Sequence, residues 1–292
     1  MRSSSDSGCG QGESDRSQTE INQCHGGCGT NQLYIVGIGP GDQAHMSGRA
    51  VDVLKHVSAV AGYTTYMDLI KPLVEGKKLV STTMKKEVDR VKAAIDIAMQ
   101  GESCAIVSSG DPGIYAMAGL AFEICQKQGI TVLRPGQSEV DGQKGNTLTI
   151  EVVPGIPALA SGAALLGAPL THDFAVVSLS DLLTPWERIE KRIEAAAGAD
   201  FVIVIFNPRS KKRDWQLKKA QEIVLKHRHP DTPVGIVKSA MREGQAVTIT
   251  RLGDLDKADV DMLSTVFIGS SASVAYLDFM ITPRGYSEKY DI

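Results

Sequence analysis

Short apolar runs alternate along the chain with segments whose apolar residues recur at helical spacing. The first run, residues 33–38, is bounded by glycine and proline, as expected of a buried strand. Ten runs of this kind predict ten strands, at residues 33–38, 57–61, 79–81, 105–107, 149–153, 175–179, 201–206, 234–237, 246–252 and 265–268.

Three intervening segments predict amphipathic helices, because their apolar residues fall on one face at spacings of three and four. These sets are Val88, Val91, Ile95 and Ala98; Trp186, Ile189, Ile193 and Ala197; and Leu217, Ala220 and Val224. Alternation of strands and helices predicts an α/β protein with a largely parallel sheet. We expect both tryptophans, Trp186 and Trp215, to pack in the core.

Ten strands are many for one open sheet, so we predict two α/β domains, residues 32–171 and 172–292. Residues 134–146, rich in glycine and glutamine, predict a surface insertion. Residues 1–31 contain only five hydrophobic residues, two basic residues and four acidic residues, which predicts a disordered tail. The tail lacks the charge and apolar pattern of a secretory signal.

The cysteines indicate a reducing compartment rather than a disulfide framework. Two of the five, Cys104 and Cys125, lie in apolar segments, and the other three lie in the tail. Cys9, Cys24, His25 and Cys28 match no strong zinc spacing, so we predict no metal site and leave a tail cluster as the alternative.

The charge balance excludes a strong general attraction to nucleic acids. Lysine and arginine number 31 against 34 aspartate and glutamate residues, a net charge of −3. The uncharged run at residues 152–171 is interrupted by three prolines, so it does not predict a membrane span. We therefore expect a cytoplasmic protein that binds neither nucleic acid nor membrane.

Two glycine-rich turns follow predicted strands and are candidates for one ligand site. Residues 37–42 read GIGPGD, which lacks the third glycine of a dinucleotide fingerprint, and residues 108–115 read SSGDPGIY. Ligands of parallel α/β sheets bind at the carboxyl ends of strands, so both turns are expected to face one cleft. The alternative is a purely structural turn in which Asp111 caps the next helix.

No common catalytic motif occurs, such as H-E-x-x-H, G-x-S-x-G or C-x-x-C. This absence favours chemistry in which the substrates bring the reactivity and the protein supplies orientation.

The two turns and the segment VPGIPALASGAALLGAPLTHDF (153–174) together resemble the tetrapyrrole (class III) methyltransferases of cobalamin and sirohaem synthesis. SLSDLLTPWERIEKR (178–192), IFNPRSKKRDWQL (205–217) and ITPRGY (281–286) are similar to the precorrin-3B C17-methyltransferase group and its cobalt-pathway counterparts. The resemblance covers residues 32–292.

The resemblance implies two α/β domains, S-adenosylmethionine in the cleft between them, and a homodimer. The residues that it places beside the cofactor are Pro40, Ser109, Gly110, Asp111, Ile114, Pro157, Ala158, Phe206 and Ala240. Relatives often have Thr-Ala where this chain has Pro157-Ala158, so one hydroxyl contact is expected to be lost.

The implied reaction is methylation at C17 of precorrin-3B with contraction of the macrocycle. Some relatives have an acidic proton acceptor where this chain has Tyr63, so Tyr63 and Tyr66 are our candidates for proton donors or positioning groups. The basic residues Arg209, Lys211, Lys212 and Arg213 are candidates for binding the tetrapyrrole carboxylates. A solvated loop is the alternative for this basic run.

Other functions stay open at this point. In one alternative the substrate is cobalt-factor III instead of precorrin-3B. In a second, the protein is a methyltransferase of the same fold that acts on another tetrapyrrole position, on a protein or on an RNA. A non-catalytic tetrapyrrole-binding module is the third.

Overall fold

The computed structural model describes residues 31–83, 85–138 and 145–291. The first part of the chain forms a six-stranded sheet with helices on both sides. Its strands are β1 (Gln32–Gly37), β2 (Ala59–Tyr63), β3 (Lys78–Thr82), β4 (Cys104–Ser108), β5 (Thr131–Leu133) and β6 (Thr147–Val153). Its helices are α1 (Gly48–His56), α2 (Thr64–Leu69), α3 (Glu87–Met99) and α4 (Met117–Gln128).

All neighbouring strands of this sheet run parallel, in the order β3-β2-β4-β1-β6-β5. Helices α3 and α4 cover one face, where Val91 and Ile95 pack against Leu33 and Ile106. Helix α1 covers the other face together with Met67 of α2. Coverage on both faces explains why the central strands read as continuous apolar runs.

The second part forms a five-stranded sheet. Its elements are α5 (Ala158–Leu166), β7 (Gly167–Ala168), β8 (Phe174–Ser178), α6 (Trp186–Gly198), β9 (Val202–Phe206), α7 (Gln216–Val224), β10 (Pro233–Lys238), β11 (Ala246–Arg251), β12 (Ser264–Ile268), β13 (Val274–Tyr276), β14 (Phe279–Ile281) and α8 (Tyr286–Lys289). Short 3-10 turns occur at Gln43–His45, Lys71–Leu73 and Leu252–Lys257.

The α/β class is confirmed. The prediction of a largely parallel sheet holds for the six-stranded sheet but was wrong for the five-stranded sheet. Its order is β11-β10-β12-β9-β8, and only β8 and β9 pair in parallel. Strands β8, β9 and β10 are linked through α6 and α7 and point the same way. Strand β11 returns from β10 through the short loop 239–245, which is too short for a parallel crossover, and β12 inserts antiparallel between β9 and β10.

Helices α6 and α7 cover one face of the five-stranded sheet, and α5 covers the other. Leu166 of α5 packs with Val204, Val237 and Phe267 of the sheet. Strand β7 pairs with β14, and β14 pairs with β13, in a small third sheet. Residues 158–168 therefore pack with the second part of the chain, and the predicted division after residue 171 stays a prediction.

All ten predicted strands are present, and β5, β7, β13 and β14 were missed because each has only two or three residues. The three predicted helices are present as α3, α6 and α7, although Val88, predicted to lie on the apolar face of α3, is 45% exposed. Trp186 packs against the core as predicted, whereas the prediction for Trp215 was wrong, since it is 48% exposed and contacts the Trp186 ring edge-on at 4.8 Å between centroids.

The predicted tail lies outside the described residues except for Asn31, which is not disordered. Its side-chain amide donates to the Thr147 carbonyl at 2.8 Å, and its own carbonyl accepts from the Thr149 N–H at 2.9 Å. Cys9, Cys24, His25 and Cys28 lie outside the described residues, as does the middle of the predicted insertion, residues 139–144. No helix in the described ranges has the length and apolar character needed to cross a bilayer.

Candidate active site

Three turns meet at the carboxyl edge of the six-stranded sheet, where β1, β4 and β6 end side by side. The Gly39 N–H donates to the Gly110 carbonyl at 3.0 Å, and the Ile156 N–H donates to the Gly39 carbonyl at 3.3 Å. These bonds join the turn after β1 to the turns after β4 and β6. The two glycine-rich turns predicted to share a site are therefore in direct contact.

Glycine is required where these turns cross. A Cβ atom on Gly39 would lie 2.2 Å from the Gly110 Cα, and one on Gly155 would lie 2.2 Å from the Gly110 carbonyl oxygen. No side chain fits at such distances, so these glycines set how closely the turns approach. Gly110 is glycine for another reason: its φ of +65° lies in the left-handed region, and a Cβ there would meet no protein atom closer than 3.5 Å.

Asp111 fixes the same junction through both carboxylate oxygens. Oδ1 accepts from the Gly113 N–H at 2.8 Å, and Oδ2 accepts from the Gly155 N–H at 3.2 Å. The alternative prediction that Asp111 caps the following helix was wrong, because α4 begins at Met117 with Ala116 as its N-cap and no side-chain cap bond. Asp111 instead links the turn after β4 to the turn after β6.

A cleft of about 450 Å³ opens above these turns and is closed on its far side by the five-stranded sheet. Strands β9 and β10 end in its wall, and β12, which runs the other way, begins there. All nine residues predicted to lie beside the cofactor line this cleft: Pro40, Ser109, Gly110, Asp111, Ile114, Pro157, Ala158, Phe206 and Ala240. Their convergence from both parts of the chain places them in one site.

Two side chains bridge the cleft, and sequence reasoning missed both. Arg242, after β10, donates through Nη2 to the Ser109 hydroxyl at 2.9 Å and through Nε to the Pro40 carbonyl. Tyr115, after β4, donates to the Val176 carbonyl of β8 at 3.1 Å and contacts the Phe206 ring at 5.6 Å between centroids. Tyr115 lies within the SSGDPGIY turn, and Arg242 lies two residues after Ala240. Closeness in sequence to predicted site residues was therefore the feature that could have identified both.

Burial changes the proton affinity of both bridging groups. It lowers the pKa of the Arg242 guanidinium, against a smaller opposing effect of Tyr66. It raises the pKa of the Tyr115 phenol, so this hydroxyl remains a hydrogen-bond donor at neutral pH.

The candidate proton donors Tyr63 and Tyr66 also line the cleft, with their rings edge-on at 5.3 Å between centroids. Glu87 and Arg90, from the first turn of α3, line the same region and were not predicted. Ser161 was likewise missed: it is buried in the cleft wall and donates to the Pro157 carbonyl at 3.3 Å.

The predicted substrate-binding residues Arg209, Lys211, Lys212 and Arg213 do not line the cleft. Lys211 and Lys212 are exposed, whereas Arg213 donates through Nη2 to the Asn207 carbonyl at 3.1 Å and contacts the Met262 sulfur at 3.2 Å. Asn207 and Met262 are cleft residues, so Arg213 lies directly behind the wall of the cleft. The Nε atoms of Arg209 and Arg213 are buried without a hydrogen-bond partner.

The described residues contain no group of three or more histidine, cysteine, aspartate or glutamate side chains arranged to hold a metal ion. Cys104 and Cys125 are buried free thiols in the core of the six-stranded sheet. Burial raises the pKa of Cys104 to about 12, so it is not a nucleophile at neutral pH.

Comparison with known proteins places the chain in a family. Residues 32–256 match the family model described as tetrapyrrole (corrin/porphyrin) methylases. The chain is 45% identical over 261 residues to cobalt-factor III methyltransferase of Priestia megaterium, covering 89% of this chain and 46% of that protein. It is thus about half as long as that relative.

Two further similarities cover nearly the whole of the other protein. The chain is 44% identical over 255 residues to a probable cobalt-factor III C17-methyltransferase of Salmonella typhimurium, covering 87% of this chain and 99% of that one. The crystal structure of the methyltransferase CobJ matches with a TM-score of 0.76 and 32% identity, covering 86% of this chain and 99% of CobJ. Together with the family match, these similarities show that the chain belongs to the tetrapyrrole methylase family.

Proposed function

We propose that the protein transfers a methyl group from S-adenosylmethionine to C17 of a cobalamin precursor and couples this transfer to contraction of the macrocycle. The observation that carries the proposal is the convergence of nine residues, from both parts of the chain, on one cleft. A binding module would use the same cleft, and formation of S-adenosylhomocysteine distinguishes the two functions.

The cleft is large enough for a small-molecule cofactor. A volume of about 450 Å³ lies in the range of small-molecule sites. The small residues Gly110, Ala158 and Ala240 leave its wall open, and the left-handed backbone at Gly110 allows a ligand to approach the main chain. When bound, the cofactor supplies a methyl group on a positively charged sulfur.

The protein's own task in methyl transfer is orientation. An in-line displacement needs the attacking carbon about 3–3.5 Å from the methyl group, and an electron-rich tetrapyrrole needs no strong base. The turns after β1, β4 and β6 hold one side of the cleft rigidly, and the bridges from Arg242 and Tyr115 hold the other side against it. Tyr63 and Tyr66 line the cleft, which supports them as our candidates for moving the proton that contraction requires.

Basic residues behind the wall of the cleft suit the carboxylates of the macrocycle. Arg213 lies behind Asn207 and Met262 in the cleft wall, and Lys211 and Lys212 extend into solvent next to it. The buried Nε–H groups of Arg209 and Arg213 have no hydrogen-bond partner among the described residues, so both side chains remain our candidates for binding a substrate carboxylate.

The cobalt-containing substrate is favoured over the metal-free one. The relative at 45% identity bears the name cobalt-factor III methyltransferase, and the relative at 44% identity is named a probable cobalt-factor III C17-methyltransferase. We therefore propose cobalt-factor III as the substrate and precorrin-3B as the alternative.

We also propose that the protein is a cytoplasmic homodimer. The hairpin of β13 and β14 exposes Val274, Tyr276, Leu277 and Phe279, with 46–78% of each residue accessible in the single chain. Exposed apolar residues this close together favour an interface.

The test supplies purified protein with S-adenosylmethionine and either cobalt-factor III or precorrin-3B. The expected result is stoichiometric S-adenosylhomocysteine and a product heavier by one methylene, with the absorbance change of a contracted ring. Absence of both products with both substrates would refute the proposed function. Methylation without the absorbance change would refute only the contraction step.

A further inference from the structure

Arg90, in the first turn of α3, is a buried cation at the wall of the cleft. Only 3% of the residue is accessible. Its Nε donates to the Thr82 hydroxyl at 2.8 Å, its Nη2 to the Thr83 carbonyl at 3.4 Å, and its Nη1 contacts the Met117 sulfur at 4.0 Å. All three partners are neutral, and the two Nη contacts are long, so the guanidinium retains donor capacity.

No carboxylate in the described ranges forms an ion pair with Arg90. Arg228, which is also buried, differs because Asp200 lies 2.9 Å from its guanidinium. The nearest acidic candidate is Glu87, one helical turn earlier, but its carboxylate accepts from the Lys85 N–H at 3.1 Å. Burial lowers the pKa of Arg90, and the more distant charge of Glu87 offsets this effect only in part. Burying a cation without a counterion is unfavourable unless a bound anion neutralises its charge.

The position of Arg90 separates it from the turns that form the proposed cofactor site. It is bonded to Thr82 at the end of β3, and β3 is separated from β4 by β2. Adjacent strands lie about 4.8 Å apart, so the end of β3 is roughly 10 Å from the Ser109–Gly110 turn. Tyr63, at the end of β2, lies between them. Arg90 therefore faces the part of the cleft that the tetrapyrrole, rather than the cofactor, would fill.

We propose that Arg90 binds a peripheral carboxylate of the tetrapyrrole and thereby sets the orientation of the macrocycle in the cleft. This inference rests on the proposed function. The guanidinium presents a planar pair of N–H donors that matches a carboxylate, and its hydrogen bonds to Thr82 and Thr83 fix the direction of that pair. Arg90 thus determines how the substrate binds and takes no direct part in the methyl-transfer step.

The experiment compares wild type, Arg90→Lys and Arg90→Met with the substrate as free acid and as its methyl ester. Lys92→Met, an exposed change of the same charge on the same helix, is the matched control. With the free acid, Arg90→Met should raise both the KM and the dissociation constant of the tetrapyrrole by about tenfold to a hundredfold. Arg90→Lys should lie in between, and affinity for S-adenosylhomocysteine should be unchanged.

With the ester, wild type and Arg90→Met should bind equally, because the anionic partner has been removed. Two results would overturn the inference. In one, Arg90→Met raises the dissociation constants of the acid and the ester equally. In the other, it leaves the dissociation constant of the acid unchanged. If Arg90→Met does not fold, Arg90→Lys provides the same acid-to-ester comparison. Equilibrium binding is read from tetrapyrrole absorbance, so failure of wild type to turn over would refute the proposed function while leaving the result for Arg90 measurable.

Discussion

Arg242 donates a hydrogen bond to the Ser109 hydroxyl at 2.9 Å across the cleft that separates the two large sheets. The same guanidinium donates to the Pro40 carbonyl, so one side chain after β10 holds the turns after β1 and β4. Both of these turns belong to the proposed cofactor site. Arg242 therefore links the geometry of the cofactor turns to the position of the five-stranded sheet.

Replacing Arg242 with alanine should weaken cofactor binding and lower stability together. Loss of the two bonds should reduce the free energy of unfolding by at least about 1.5–3 kcal/mol, the usual contribution of one hydrogen bond from a charged donor. Urea unfolding and calorimetric titration with S-adenosylhomocysteine measure the two effects. Arg188→Ala, an exposed control on α6, should change stability by less than about 0.5 kcal/mol. Unchanged cofactor affinity in Arg242→Ala would contradict this linkage.

Alanine at Gly110 and at Gly39 should have different consequences. Gly110→Ala places its Cβ no closer than 3.5 Å to any protein atom, which is ordinary van der Waals contact, so the protein should fold with a loss of about 1–2 kcal/mol from the left-handed backbone, yet bind the cofactor poorly. Gly39→Ala places its Cβ 2.2 Å from the Gly110 Cα, so the turns themselves should separate and the melting temperature should fall further.

Gly119→Ala is the control for both variants, because a Cβ at that helical position meets nothing within 4 Å. It should stabilise the protein by up to about 1 kcal/mol without affecting the cofactor. Thermal unfolding and ligand titration provide the comparison. Equal cofactor affinity in Gly110→Ala and Gly119→Ala would show that the ligand does not approach Gly110.

Tyr63→Phe should separate methylation from contraction. The ring and its edge-on contact with Tyr66 are retained, and only the hydroxyl is lost. Methyl transfer should continue at a rate within about threefold of wild type, while contraction slows by about a hundredfold, the scale of general acid–base catalysis. Product mass reports the first step and absorbance the second. If Tyr63→Phe and Tyr66→Phe both contract the ring at the normal rate, neither hydroxyl donates the proton.

Cys104 should resist alkylation in the native protein. Burial raises its pKa to about 12, so almost none is thiolate at pH 8, and the side chain is inaccessible. After treatment with iodoacetamide, peptide mass mapping should find Cys104 modified only in denaturant. Labelling of Cys104 in the native state at the rate of a free thiol would show that the core of the six-stranded sheet opens.

The cleft was predictable in outline because its parts are local in sequence. Gly39, Gly110 and Pro157 each follow an apolar run that forms a strand of the parallel sheet, and such strand ends share one edge. Arg242, Tyr115 and Arg90 were not predictable in the same way. Each acts through a contact with a residue or cavity distant in sequence, and an isolated arginine or tyrosine carries no periodic signal.

The strand directions of the five-stranded sheet illustrate the same limit. Apolar runs identify β10, β11 and β12, but a run has no direction, and the return from β10 to β11 depends on the short loop 239–245. The antiparallel insertion of β12 between β9 and β10 depends on tertiary packing and not on the local sequence of β12. It matters for function because it brings Ser264 and Thr265, at the start of β12, to the cleft.

The most direct test follows an isotopically labelled methyl group from S-adenosylmethionine to cobalt-factor III. Our account predicts that nuclear magnetic resonance of the isolated product finds the label on C17 of a contracted macrocycle, and that Gly110→Arg, which fills the cleft, forms none of this product. Label at any other ring position, or full activity in Gly110→Arg, would contradict it.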